Sequence, residues 1–151
     1  MPALPVPMDF LEVLMDSVSL ENNRRRLLEA GVEMLDPSAV YVEDSVTVGR
    51  GTLLLPGTIL RGTTSVGPNC EIGPNTMLVN CTVGAGVTVN SSQCFDSTIE
   101  DGAEVGPFAY IRPNCHVSPR VKVGDFVELK NSTVGPDTKI SHLTYIGDSD
   151  V

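Results

Sequence analysis

The chain has 151 residues, 41% of them hydrophobic but only 5% aromatic and none tryptophan, so its core is built from Val, Ile, Leu and small residues rather than large rings. A net charge of −9 opposes the phosphates of nucleic acid and the head groups of an anionic membrane. No apolar run approaches the length needed to span a bilayer, and the opening "MPALPVPMDFLEVLMDS" lacks the basic start of a signal peptide.

Residues 1–16 read as a loose apolar arm, and residues 17–40 as a linker helix with its connection. Ser19 is placed to cap the helix, Leu20, Leu27 and Leu28 share one face, and Gly31 ends it. The run Arg24, Arg25, Arg26 has two readings, a nucleotide site or a solvated helix face.

From residue 41 a six-residue rhythm takes over. Val42, Val48, Leu54, Leu60, Val66, Ile72 and Leu78 follow at equal steps, and a step of five leads to Val83 and then Val89. The rhythm blurs at "CFDST", read as a deletion or bulge. It resumes at Ile99, Val105, Ile111, Val117, Val123 and Leu129, then at Val134, Ile140 and Ile146. Glycine follows the aliphatic residue eight times (Gly49, Gly67, Gly73, Gly84, Gly106, Gly124, Gly135, Gly147), where it is expected to give the backbone freedom to turn a corner. A period of six fits neither a helix nor a hairpin sheet. Three short strands per revolution do fit it, giving coils of about eighteen residues. Residues 42 to 151 then make about six coils, roughly 29 Å long at ~4.8 Å per coil. The class predicted is mainly β, a parallel β-helix of hexapeptide repeats preceded by a short helix; periodicity leaves its hand open.

Cys70, Cys81, Cys94 and Cys115 lack metal-ligand spacing and read as small buried residues in a reducing compartment. Two histidines are too few for a β-helix zinc enzyme, so no metal site is expected. No regular threonine ladder of an ice-binding surface is legible.

Charge is uneven. Arg112, Arg120, Lys122, Lys130 and Lys139 outweigh Asp125, Glu128 and Asp137 between residues 112 and 142, a segment of +2 in a chain whose remainder is −11. Arg112 and Lys130 are one eighteen-residue coil apart and are expected to stack at one corner. Like charges ~5 Å apart repel by about 1 kcal/mol in water and ~3 kcal/mol at an effective dielectric of 20. A bound phosphate removes that repulsion; the other reading is two exposed side chains with no joint role. Tyr145 falls near the same column, one coil on. His142 lies one corner earlier, as a general base or as an ordinary turn residue. His116 reads as structural.

The stretches "RRRLLEAGVEMLDPSAVYVEDSVTVG", "VGPFAYIRPN", "VGDFVELKNS" and "ISHLTYIGDSDV" resemble the C-terminal half of the bacterial bifunctional N-acetylglucosamine-1-phosphate uridyltransferase/glucosamine-1-phosphate acetyltransferase, over about residues 20 to 151. The resemblance implies a left-handed β-helix assembled as a homotrimer, with sites between subunits. It implies cytoplasmic transfer of acetyl from acetyl-CoA to the amine of glucosamine 1-phosphate, for UDP-N-acetylglucosamine and peptidoglycan biosynthesis. Carried over by motif, Arg112 and Lys130 hold the sugar phosphate, Tyr145 contacts the same substrate and His142 is the catalytic base. The family's nucleotidyltransferase domain is not matched here. Its later coils, with an "NYDG"-like segment and most of the acetyl-CoA site, are expected to be missing from residues 41–151. The alternative is a non-catalytic β-helix for trimerisation or sugar-phosphate binding; an acyltransferase for another amino sugar is a third reading.

Overall fold

The structure, a computed structural model, describes residues 10–151, with side chains from residue 16. The expectation for the first nine residues lies outside the described residues. Helix α1 runs Phe10–Glu29, so it begins within the stretch expected to be an arm, and Ser19 sits mid-helix rather than at a cap. Its C-terminus follows the sequence. Gly31 takes a φ of 94°, Gly31 N–H donates to Leu28 O and Val32 N–H donates to Leu27 O, with Leu27 and Val32 both buried. This pairing of a left-handed glycine with two back-reaching amides satisfies the last carbonyls of the helix.

Short parallel strands then build three walls. The first has seven: Glu33–Met34, Leu53–Leu54, Glu71–Ile72, Thr88–Val89, Glu104–Val105, Lys122–Val123 and Lys139–Ile140. The second has seven: Val40–Val42, Thr58–Arg61, Met77–Val79, Gln93–Phe95, Tyr110–Ile111, Val127–Lys130 and Thr144–Gly147. The third has six: Thr47–Val48, Ser65–Val66, Thr82–Val83, Thr98–Ile99, His116–Val117 and Thr133–Val134. Each strand pairs with the strand one coil away, which makes a left-handed solenoid of about seven turns. The count exceeds six because Glu33–Met34, inside the segment expected to be a connection, already pairs with Leu53–Leu54.

Period-two alternation within each strand turns one aliphatic inward per wall. Leu54, Leu60, Ile72, Leu78, Ile99, Ile111 and Leu129 are all fully buried. The blurred stretch is shortened by one residue on each side of Cys94, the deletion expected, and the interior column continues through it. Cys94 is fully buried and stacks in register between Leu78 and Ile111, reached by a five-residue step on each side. All four cysteines are buried and free. A second interior position holds Val or Ala in some repeats (Val46, Val87, Ala103, Val121) and, in others, a Thr, Ser or Cys whose hydroxyl or thiol bridges coils. Ser97 Oγ donates to Arg112 O at 3.0 Å and accepts from Cys115 N–H at 3.1 Å. Among the described residues no buried side-chain N or O lacks a partner.

The glycines after the aliphatics serve mainly a different purpose from the one expected. Only Gly73 and Gly106 of the eight have positive φ. At Gly49 a Cβ would lie 2.4 Å from Pro68 N of the next coil, so close stacking excludes a side chain there. The left-handed corners instead carry other glycines (Gly51, Gly57, Gly62, Gly86, Gly102) together with Asn, Asp, Ser and some larger residues.

The arginine run is in large part the solvated helix face expected, with Arg25 and Arg26 exposed, but two of its members also reach the first coil. Arg24 Nε donates to Val40 O at 2.8 Å, Arg26 to Val46 O at 3.1 Å and Asn23 Nδ2 to Val42 O at 3.0 Å. Side chains of α1 thus satisfy carbonyls that the first coil presents at the open edge of its wall. Arg25 and Arg26 are both exposed, Arg25 lying near Glu21. The third wall also aligns Thr47, Ser65, Thr82 and Thr98 in one outward column, followed by His116 and Thr133, a hydroxyl row the sequence reading missed.

Candidate functional site

The last three strands of the second wall carry the site expected from the sequence. Ile111, Leu129 and Ile146 are register partners turned to the interior, so the residues flanking them face outward. Two outward columns result. One stacks Tyr110, Glu128 and Tyr145; the other stacks Arg112, Lys130 and Gly147. Arg112 N–H donates to Leu129 O at 2.8 Å, which fixes Arg112 one coil from Lys130. The expected stacking of the two cations is therefore present. Tyr145 shares their face in the neighbouring column and is 58% exposed.

Each cation has a carboxylate that sequence reasoning did not single out. Arg112 Nη1 is 4.0 Å from Glu128 Oε1, and Lys130 Nζ is 3.9 Å from Asp148 Oδ2. Both separations are too long for hydrogen bonds, so the guanidinium and ammonium keep donors free. The signal was legible: Asp148 is one seventeen-residue coil after Asn131, as Lys130 is one coil after Arg112. Phe95 packs edge-to-face on Tyr110, ring centroids 5.9 Å apart, closing the upper side of the patch with aromatic surface.

His142 lies in the turn between Lys139–Ile140 and Thr144–Gly147, and it is exposed. Thr144 Oγ1 donates to His142 O at 3.2 Å and to Ser141 O at 3.1 Å, holding the turn. Among the described residues no hydrogen bond joins His142 to Arg112, Lys130 or Tyr145. The structure thus brings three of the expected residues onto one face and sets the fourth at the adjoining corner.

That corner has an unusual surface. The left-handed position there is Gly57, Asn75 and Ser91 in earlier coils, then Phe108, Phe126 and Leu143. The two rings stack with centroids 5.5 Å apart, and all three side chains are more than half exposed. His116 is on the third wall, its Nε2 2.9 Å from Glu100 Oε2, away from the other site residues. Among the described residues no group of three His, Cys, Asp or Glu is arranged to hold a metal ion.

Three walls of short parallel strands, an aliphatic interior and polar stacked corners define a left-handed β-helix of hexapeptide repeats. No family model matches the chain. The curated proteins it resembles are bifunctional GlmU proteins, as its motifs suggested. It is 46% identical over 127 residues to that of Alkaliphilus metalliredigens (84% of this chain, 28% of the relative). It is 49% identical over 123 residues to that of Thermotoga petrophila (82% and 28%). It is 40% identical over 157 aligned residues to that of Clostridium kluyveri (99% and 34%). The chain thus spans about a third or less of the length of these relatives, consistent with their C-terminal acetyltransferase part. Among solved structures it is similar to the acetyltransferase domain of PglB from Neisseria gonorrhoeae FA1090, at 12% identity and a TM-score of 0.40, covering 82% of this chain and 64% of that one. It is also similar to PerB from Caulobacter crescentus in complex with CoA and GDP-perosamine, at 18% identity and a TM-score of 0.38, covering 80% and 60%.

Proposed function

We propose that this chain is the acetyl-transfer part of a GlmU-type protein, moving acetyl from acetyl-CoA to the amine of glucosamine 1-phosphate for UDP-N-acetylglucosamine synthesis. The observation that carries the reading is the stacking of Arg112 over Lys130 on one outer face beside Tyr145. The two cations hold the phosphate and Tyr145 contacts the sugar. His142 accepts the proton as the substrate nitrogen attacks the thioester carbonyl; the C–S bond then breaks and the CoA thiolate leaves. On this reading acetyl-CoA draws mostly on residues of the relatives beyond the aligned stretch.

The same reading makes the protein a homotrimer, which gives the exposed Phe108, Phe126 and Leu143 beside His142 a covering surface. It also places the protein in the cytoplasm, a reducing setting that suits four free thiols. Among the described residues no helix is long and apolar enough to cross a membrane.

One observation favours a non-catalytic, sugar-phosphate-binding role: Arg112, Lys130 and Tyr145 share a face, whereas no hydrogen bond among the described residues joins His142 to them. Release of free CoA thiol with glucosamine 1-phosphate, by the chain alone and fused to the C-terminal remainder of a relative, separates the two. Turnover in either form supports acetyl transfer; binding without turnover in both supports the second role.

A further inference from the structure

The anion corner is electrically neutral, because Glu128 and Asp148 offset Arg112 and Lys130. The carboxylate beside Lys130 is held in place by its neighbours. Asn114, Asn131 and Asp148 occupy the same left-handed corner in successive coils, with φ of 67°, 44° and 50°. An Asn amide both donates and accepts, so it passes a ladder on. Asn114 Nδ2 donates to Asn131 Oδ1, and Asn131 Nδ2 donates to Asp148 Oδ1 at 2.9 Å. An ionised carboxylate only accepts, so this run of donors ends at Asp148 and leaves Oδ2 toward Lys130, 3.9 Å away. The backbone fixes the height, since Asp148 N–H donates to Lys130 O at 2.9 Å.

We infer that Asp148 is a positioning and specificity-determining residue for this corner, selecting phosphates that carry their own ammonium group over phosphates that do not. The inference rests on the reading of Arg112 and Lys130 as the sugar-phosphate site. The Asp148 carboxylate keeps the Lys130 ammonium at the corner without occupying its donors. The same carboxylate repels any anion bound there, in proportion to the ligand's charge. An amino-sugar phosphate offsets that repulsion with its cationic nitrogen, whereas a neutral-sugar phosphate or free phosphate does not.

Asp148→Asn tests this, because the new amide oxygen still accepts from Asn131 and keeps the ladder. Titration at pH 7, where the sugar amine is mostly protonated, uses glucosamine 1-phosphate, glucose 1-phosphate and inorganic phosphate against the full chain. The expected result is about 10-fold tighter binding of glucose 1-phosphate and inorganic phosphate, and about 3-fold or less for glucosamine 1-phosphate. An unchanged melting temperature separates this shift in preference from a structural effect. Equal changes for all three ligands, or none, overturn the inference while leaving the site intact, provided Lys130→Ala weakens wild-type binding. If Lys130→Ala binds as wild type does, the sugar-phosphate reading falls and the inference falls with it.

Discussion

Arg112 and Lys130 leave the second wall from adjacent coils in one column, locked there by the hydrogen bond from Arg112 N–H to Leu129 O. Their charges are brought together by the β-ladder rather than by side-chain contacts. A one-residue slip of either strand would turn its cation into the aliphatic interior. The register that fills the core with Ile111 and Leu129 is therefore the register that stacks the two cations.

The catalytic assignment of His142 predicts a separation of chemistry from binding. His142→Gln lowers the rate of acetyl transfer by about 10²- to 10⁴-fold while glucosamine 1-phosphate affinity stays within about 3-fold of wild type. Steady-state kinetics alongside calorimetric titration measures both. A proportional loss of binding would move His142 from proton acceptor to substrate contact.

Burial pushes the Cys94 thiol well above its ordinary value, and Cys70 and Cys81 also upward. The unfolded chain releases these protons near the ordinary thiol value while the folded chain retains them. The folded state then binds more protons, so stability falls as pH rises above about 9, with Cys94 contributing about 1 kcal/mol per pH unit and Cys70 and Cys81 acting in the same direction. Cys94→Val keeps an apolar side chain between Leu78 and Ile111 and removes one of these contributions. Urea unfolding at pH 8 and pH 10 should show a smaller loss for the variant than for wild type.

The cap over the first coil is testable at Arg24 and Arg26. Replacing either with Ala leaves the first-coil carbonyls of Val40 or Val46 without that donor and lowers unfolding free energy by about 1 kcal/mol. Arg25→Ala, whose neighbour is the exposed Glu21, changes it by less than about 0.5 kcal/mol. Chemical denaturation of the three variants measures the contrast.

Assembly is read at Phe126. A carboxylate placed by Phe126→Glu within the stacked corner disfavours burial of that surface against another copy. Sedimentation should show the wild type at three times the chain mass and the variant shifted to monomer. A wild-type monomer would contradict the trimer.

The interior column was legible almost residue for residue, because stacking demands an aliphatic at nearly every sixth position. It failed at Cys94, where a small thiol replaced the aliphatic between two shortened steps. Shortened coils also hid the outward hydroxyl row, since Thr47, Ser65, Thr82 and Thr98 are 18, 17 and 16 residues apart. The stacking of Arg112 on Lys130 was readable because that coil keeps its full eighteen residues. Glu128 and Asp148 were harder to see, because whether a carboxylate faces a cation depends on which side of the wall and which corner it occupies. The roles of Arg24 and Arg26 could not be read at all, since they depend on how α1 lies across the first coil, and local composition does not encode that.

The central claim is that Arg112 and Lys130 jointly hold a sugar phosphate. Calorimetric titration of glucosamine 1-phosphate into wild type, Arg112→Ala, Lys130→Ala and the double variant tests it most directly. The account predicts about 10- to 100-fold weaker binding for each single variant and no measurable binding for the double. Wild-type affinity retained in both single variants would contradict it.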